Sequence, residues 1–240
     1  MSRRIAWRRL SCVALAAAFL AGAAGPRNAS AEGRFGVAFL TGYHTYAQSD
    51  LNDELIAPIN VLLLGTGYSM NDVAHGIGFG GGLRYRTEGP LVAAMDYERL
   101  TGKSTLDVPG GQFEANAAAD AYTATVTYYF PSTSRARFGL GAGLGVYVAA
   151  GKLRAYDSTT MQEETEDMEG TGLGLHGIGA AEITLSNVAH LEACVGYRYA
   201  KSSDLKVGGQ TALNADGSKS KLDWSGLMTR IGFSFYFGGK

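Results

Sequence analysis

From Gly33 to Phe237 apolar positions alternate with small or polar ones in short segments, the period-two pattern of strands whose two faces meet different surroundings. In RFGVAFLTGYH, Phe35, Val37, Phe39, Thr41 and Tyr43 share one face, with Gly36, Ala38, Gly42 and His44 on the other. The next segment sets Ile77, Phe79, Leu83 and Tyr85 against Gly78, Gly80, Gly82, Arg84 and Arg86; LVAAMDYER then sets Leu91, Ala93, Met95 and Tyr97 against Val92, Ala94, Asp96 and Glu98. AYTATVTYYF and RFGLGAGLGVYV repeat the scheme, and GLGLHGIGAAEITL follows it least regularly, with His176, Ile178 and Glu182 inward and a β-bulge expected within it. HLEACVGYRYA places Glu192, Cys194 and Arg198 on its polar face, and LMTRIGFSFYF places Arg230 there. Eight strands are predicted.

The connections alternate in length: TEGP, PSTSRA and SNVAH are short, and the four others are much longer. This is the rhythm of an eight-stranded antiparallel up-and-down transmembrane β-barrel, with short periplasmic turns and long external loops. With odd strands running outward, the apolar faces carry Phe35, Tyr85, Tyr128, Phe130, Phe138, Phe235 and Phe237 near the periplasmic end. Tyr43, Tyr97, Tyr122, Tyr197 and Tyr199 fall near the external end. Two aromatic girdles at the lipid–water boundaries are therefore expected. A soluble eight-stranded barrel would carry the opposite polarity, polar outside and apolar inside.

The first 31 residues do not belong to the barrel. MSRRIAWRRL is basic, SCVALAAAFLAGAAG is apolar, and Ala29-Ser30-Ala31 is a small-x-small cleavage site, so residues 1–31 read as a cleaved signal peptide and 32–240 as one barrel domain. Of Cys12 and Cys194 only the second survives cleavage, which excludes an intrachain disulfide. The formal net charge of −1 gives no footprint for nucleic acid.

GIGFGG at Gly76–Gly81 has the spacing of a dinucleotide turn, but it lies within an alternating segment that ends in LRYRTEGP, with no helix to follow. The glycines instead make room in a lumen only wide enough for side chains. The inward ionisable set is Arg84, Arg86, Asp96, Glu98, Arg137, Glu182, Glu192, Arg198 and Arg230. Five cations and four anions point to a paired, salt-bridged core that blocks passage; a narrow charged pore is the alternative. The four histidines show no metal-ligand spacing, and no cofactor motif is present.

In the first long loop, DLNDELIAPINVLLLGTG breaks the strand period. A short helix capped by Asp50 or Asn52 and kinked at Pro58 is expected, with Leu51, Leu55, Ile56, Ile59, Leu62 and Leu63 near one side. It either folds over the barrel mouth or forms a hydrophobic site or lid for a lipid or partner. DSTTMQEETEDMEG, with six acids, reads as a solvated mobile loop, or as one bridged by divalent ions to lipopolysaccharide. Arg99, Lys103, Lys152, Arg154 and Lys201 fall just beyond the outer girdle, where lipopolysaccharide phosphates lie.

On this topology, the girdles and the final IGFSFYF, the chain resembles the small eight-stranded outer-membrane barrels of Gram-negative bacteria: the transmembrane domain of outer membrane protein A and the OmpX and OmpW types. The resemblance implies recognition of the last strand by the barrel assembly machinery, although Gly238-Gly239-Lys240 follow where such chains usually end in an aromatic residue. It implies a non-enzymatic protein in contact with outer-membrane lipid and lipopolysaccharide, with a role in surface interaction or envelope integrity. The alternatives are a small porin-like or hydrophobic-solute channel of the OmpW type and a lipid A-modifying enzyme. His44-Thr45-Tyr46 and His176-Gly177-Ile178 do not supply the H-x-S motif of the deacylase barrels.

Overall fold

Alternation this strict leaves the backbone extended, and in a membrane each strand must find both its hydrogen-bonding neighbours. The computed structural model describes residues 33–133 and 135–238, and the signal peptide expected at residues 1–31 lies outside them. Eight strands form the wall: β1 (Arg34–Thr45), β2 (His75–Arg86), β3 (Leu91–Val108), β4 (Gly111–Tyr129), β5 (Ala136–Asp157), β6 (Gln162–Thr184), β7 (Ala189–Ser202) and β10 (Gly226–Phe237). A two-strand hairpin, β8 (Lys206–Val207) and β9 (Gln210–Thr211), precedes β10 and pairs with the far end of β6. Wall neighbours are antiparallel, and pairing of β1 with β10 and of β5 with β6 closes the ring.

Register partners followed once round the ring from Arg34 pass through Arg86, Val92, Thr127, Gly141, Ile178, Gly196 and Met228 and return to β1 at His44. That stagger tilts the strands by roughly 40° and leaves an interior that side chains can fill.

Two expectations are corrected. The register of β6 against β5 and β7 is continuous, so there is no bulge; its irregularity comes from Gly177, Gly179 and Ala181, small residues on the outward face. The acidic segment is not a mobile loop, because β5 and β6 continue through it to Asp157 and Gln162. The β3–β4 hairpin likewise runs on to Val108 and Gly111.

The helix of the first loop, α1 (residues 49–62), has a wide π-helical turn at Asn52–Ile56 between α-helical pieces Ser49–Leu51 and Ala57–Leu62. Pro58 sits in the first turn of the second piece, where its missing N–H is least disruptive. Neither expected cap is one: Asn52 Oδ1 accepts the Val73 N–H at 2.9 Å, and Asp50 Oδ2 accepts the Lys221 N–H at 2.8 Å. Asn52 thus ties the first loop to itself, and Asp50 ties it to the last loop. Leu51 and Ile56 are buried, whereas Leu62, expected beside them, is 84% exposed.

Candidate functional site: a filled and capped lumen

All nine inward charges line the lumen, in three tiers. In the middle tier Arg84 Nη1 donates to Asp96 Oδ1 at 2.5 Å, and its Nε and Nη2 donate to Glu192 Oε2 at 3.3 and 3.2 Å. Arg230 completes the tier, reaching Asp96 Oδ2 from Nη1 at 3.5 Å and Cys194 Sγ from Nε at 3.4 Å. Asp96 lies opposite Gly82, where a β-carbon would collide with its carboxylate. Glycine spacing here serves the charges rather than a phosphate.

Toward the short turns, the fully buried Glu182 carboxylate receives Arg86 Nη2, Arg137 Nη2 at 2.7 Å and His190 Nδ1 at 3.1 Å. Arg86 stacks on Tyr236 at 4.1 Å from the ring centroid and Arg137 on Tyr129 at 4.7 Å. Toward the long loops, Glu98 pairs with His44 Nε2 at 2.8 Å. A β-carbon at Gly78 would strike both groups. Arg198 departs from the expected pairing: it has no carboxylate within ion-pair distance among the described residues. Its Nε donates to the Trp224 carbonyl at 2.8 Å, and its guanidinium lies 5.9 and 5.6 Å from the Tyr46 and Tyr147 rings. His176 is buried with Nε2 2.8 Å from Thr125 Oγ1. The sequence signal for His44 and His190 was their even parity on β1 and β7, which turns both inward.

Above the charged tiers the interior is apolar. Leu51 and Ile56 of α1, Leu100 of β3, Met168 of β6, and Leu222 and Trp224 of the last loop form one buried cluster across the mouth. Glu54 Oε2 accepts the Ala215 N–H at 3.0 Å, tying α1 to that last loop.

Outside, Phe35, Tyr85, Tyr128, Phe130, Phe138, Phe235 and Phe237 are on the outward face toward the short turns, and Tyr43, Tyr97, Tyr122, Tyr197 and Tyr199 toward the long loops. Phe35, Phe39, Leu140 and Val195 are all more than half exposed on this face. Just past the upper aromatics, each rim cation faces an acid of its own chain: Arg99–Asp120 at 2.9 Å, Lys103–Glu114 at 2.8 Å, Lys152–Asp167 at 3.9 Å, Arg154–Glu163 at 2.8 Å and Lys201–Asp223 at 2.9 Å. Burial would raise the Asp223 carboxyl, but hydrogen bonds from Ser225 and Lys201 outweigh it and hold it below the ordinary aspartate range. Among the described residues no group of three or more His, Cys, Asp or Glu could hold a metal ion.

A closed eight-stranded wall, apolar outside and ion-paired within, can only be solvated by lipid on its outer surface. The protein is a membrane-spanning β-barrel of the outer-membrane type. No protein-family model and no curated protein matches the sequence. Among solved structures the chain is similar to Neisserial surface protein A, at 16% identity and TM-score 0.42 over 85% of this chain and 97% of that one. It is also similar to the outer membrane protein OprG from Pseudomonas aeruginosa, at 15% identity and TM-score 0.46 over 87% and 97%. A third similarity is to the outer membrane protein AlkL, at 14% identity and TM-score 0.42 over 90% and 95%.

Proposed function

We propose that this outer-membrane barrel is a non-enzymatic, non-conducting envelope protein that acts through its outer end. The observation that carries the reading is double closure: an ion-paired middle tier crosses the lumen, and an apolar cluster fills the mouth above it. The cavity beside Arg84, Asp96, Glu192 and Arg230 measures about 50 Å³, room for a few waters and well short of the ~300 Å³ at which ligand pockets begin. At the rim, Lys152 is the cation most open to exchange: its side chain is 65% exposed and its own acid is 3.9 Å away. A lipopolysaccharide phosphate displaces such a partner readily. The outward aromatic alternation of β10 suits the last-strand signal read by the barrel assembly machinery.

Single-channel recording across a planar bilayer tests the reading. A flat baseline is expected, and steady openings would overturn it in favour of the second reading, a passage for small or hydrophobic solutes. The exposed Val61, Leu62 and Leu64 of the first loop are the observation that favours this alternative.

A further inference from the structure

The two ends of the lumen differ in charge as well as in cover. In the middle tier Arg84 and Arg230 meet Asp96 and Glu192, two cations against two anions. In the upper tier Glu98 pairs with His44, and Arg198 rests on the Trp224 carbonyl with no carboxylate within ion-pair distance among the described residues. At the short-turn end Arg86 and Arg137 share the single carboxylate of Glu182. A third arginine lies at the same end: Arg34 is in register with Arg86 on the inner face of β1, and its Nη1 donates to the Asn187 carbonyl at 3.1 Å. Glu192 is committed to Arg84.

Hydrogen bonding is unbalanced in the same direction. Arg86 Nε, Arg137 Nε, Tyr236 OH, Ser234 Oγ and His190 Nε2 are buried with no hydrogen-bond partner among the described residues. Four of these five can donate, and His190 gives its Nδ1 proton to Glu182. The guanidinium-bearing side chains are also within reach: that of Arg137 is 22% exposed and that of Arg86 14%. Two fixed, partly desolvated guanidinium groups with one shared counter-charge favour an oxyanion over chloride, because an oxyanion accepts directed hydrogen bonds from N–H donors.

We propose that the short-turn end of the lumen is a cup that binds one small oxyanion, such as inorganic phosphate, at the exposed edges of Arg86 and Arg137. The membrane orientation assigned above makes the periplasm the compartment that supplies it. The apolar cluster at the far end makes the cup blind.

The test uses the barrel purified in a maltoside detergent, so that no lipid phosphate competes. Sodium phosphate is titrated against chloride at constant ionic strength, and the arginine Nε–Hε resonances are followed by NMR. Those of Arg86 and Arg137 are expected to shift saturably, while that of Arg198, beneath the plug, stays still. Arg137→Gln should weaken binding at least about tenfold, since a hydrogen bond to a charged partner is lost. Arg99→Gln on the outer surface should leave it unchanged. Acetate titrated in the same way distinguishes a general oxyanion site, saturating with both, from one that takes phosphate alone. Shifts that never saturate, that follow chloride equally, or that include Arg198 to the same extent would overturn the proposal. Should Arg137→Gln fail to fold, the wild-type resonance pattern decides alone. A barrel that conducts ions would remove the closed-lumen reading while leaving this titration interpretable.

Discussion

Arg84 shows what one buried charge requires. It is 5% exposed and meets Asp96 twelve residues along the chain and Glu192 on the far side of the ring. Removing Asp96 leaves Arg84 with only Glu192 and takes away the only carboxylate that Arg230 reaches within ion-pair distance among the described residues. Breaking a buried pair from one side costs about 3–5 kcal/mol, so Asp96→Ala should lose an amount of that order in urea unfolding of the detergent-solubilised barrel. Lys152→Ala, at an exposed pair, should change the same midpoint by less than about 1 kcal/mol. Residue parity in the sequence put all nine charges on the inner face. Which cation meets which anion was not legible, because the Arg84–Glu192 pair depends on the ring's stagger and on which strands close it. For the same reason Arg198 read as one more paired charge, whereas it rests against aromatic rings and a backbone carbonyl supplied by the last loop.

At the scale of elements, the strands change character partway along. Below Arg99 and Asp120 the outward residues of β3 and β4 are apolar or aromatic. Above them Lys103, Thr105, Asp107 and Glu114 face out, while Leu100, Leu106, Ala115 and Ala117 are buried. The inversion marks the upper edge of lipid, beyond which water solvates the outer face. Apolar-outward alternation ends at that edge, which is why the β5–β6 extension is not legible as strand in the sequence. The last loop is held to β7 by Lys201–Asp223, and Asp223 Oδ1 also accepts the Ser225 N–H at 2.9 Å. Because the folded-state pKa of Asp223 is depressed, its contribution is complete above the ordinary aspartate value of 3.8 and lost as pH falls through the lower folded value. Trp224, the only tryptophan beyond residue 31, adjoins this contact and is fully buried. Its emission should stay blue-shifted at pH 5 and move to the red below about pH 3.8, while far-ultraviolet circular dichroism of the wall persists. Asp223→Asn, neutral at every pH like the protonated acid, should already be red-shifted at pH 5 with no further change on acidification; a blue-shifted variant that still moves to the red below about pH 3.8 would place the titration elsewhere.

At the scale of the whole molecule, every wall strand pairs on both sides within the closed ring, so unfolding must break hydrogen bonds on both sides of a strand. The folded barrel should therefore survive unheated detergent electrophoresis and migrate differently from the boiled chain; identical mobility would contradict a closed wall. By itself the sequence determined the number of wall strands, which residues face out and which face in, the outward aromatics near each end and the inward charges. Those properties are local, since a period of two and a boundary between solvents act on each strand separately. Only the tertiary structure decided the ion-pair partners, the height to which β3–β6 rise above the lipid, and the closing of the mouth by α1 and the last loop. Each of these brings together residues remote in the chain, and the ring's stagger and closure set their meeting, which no single segment encodes.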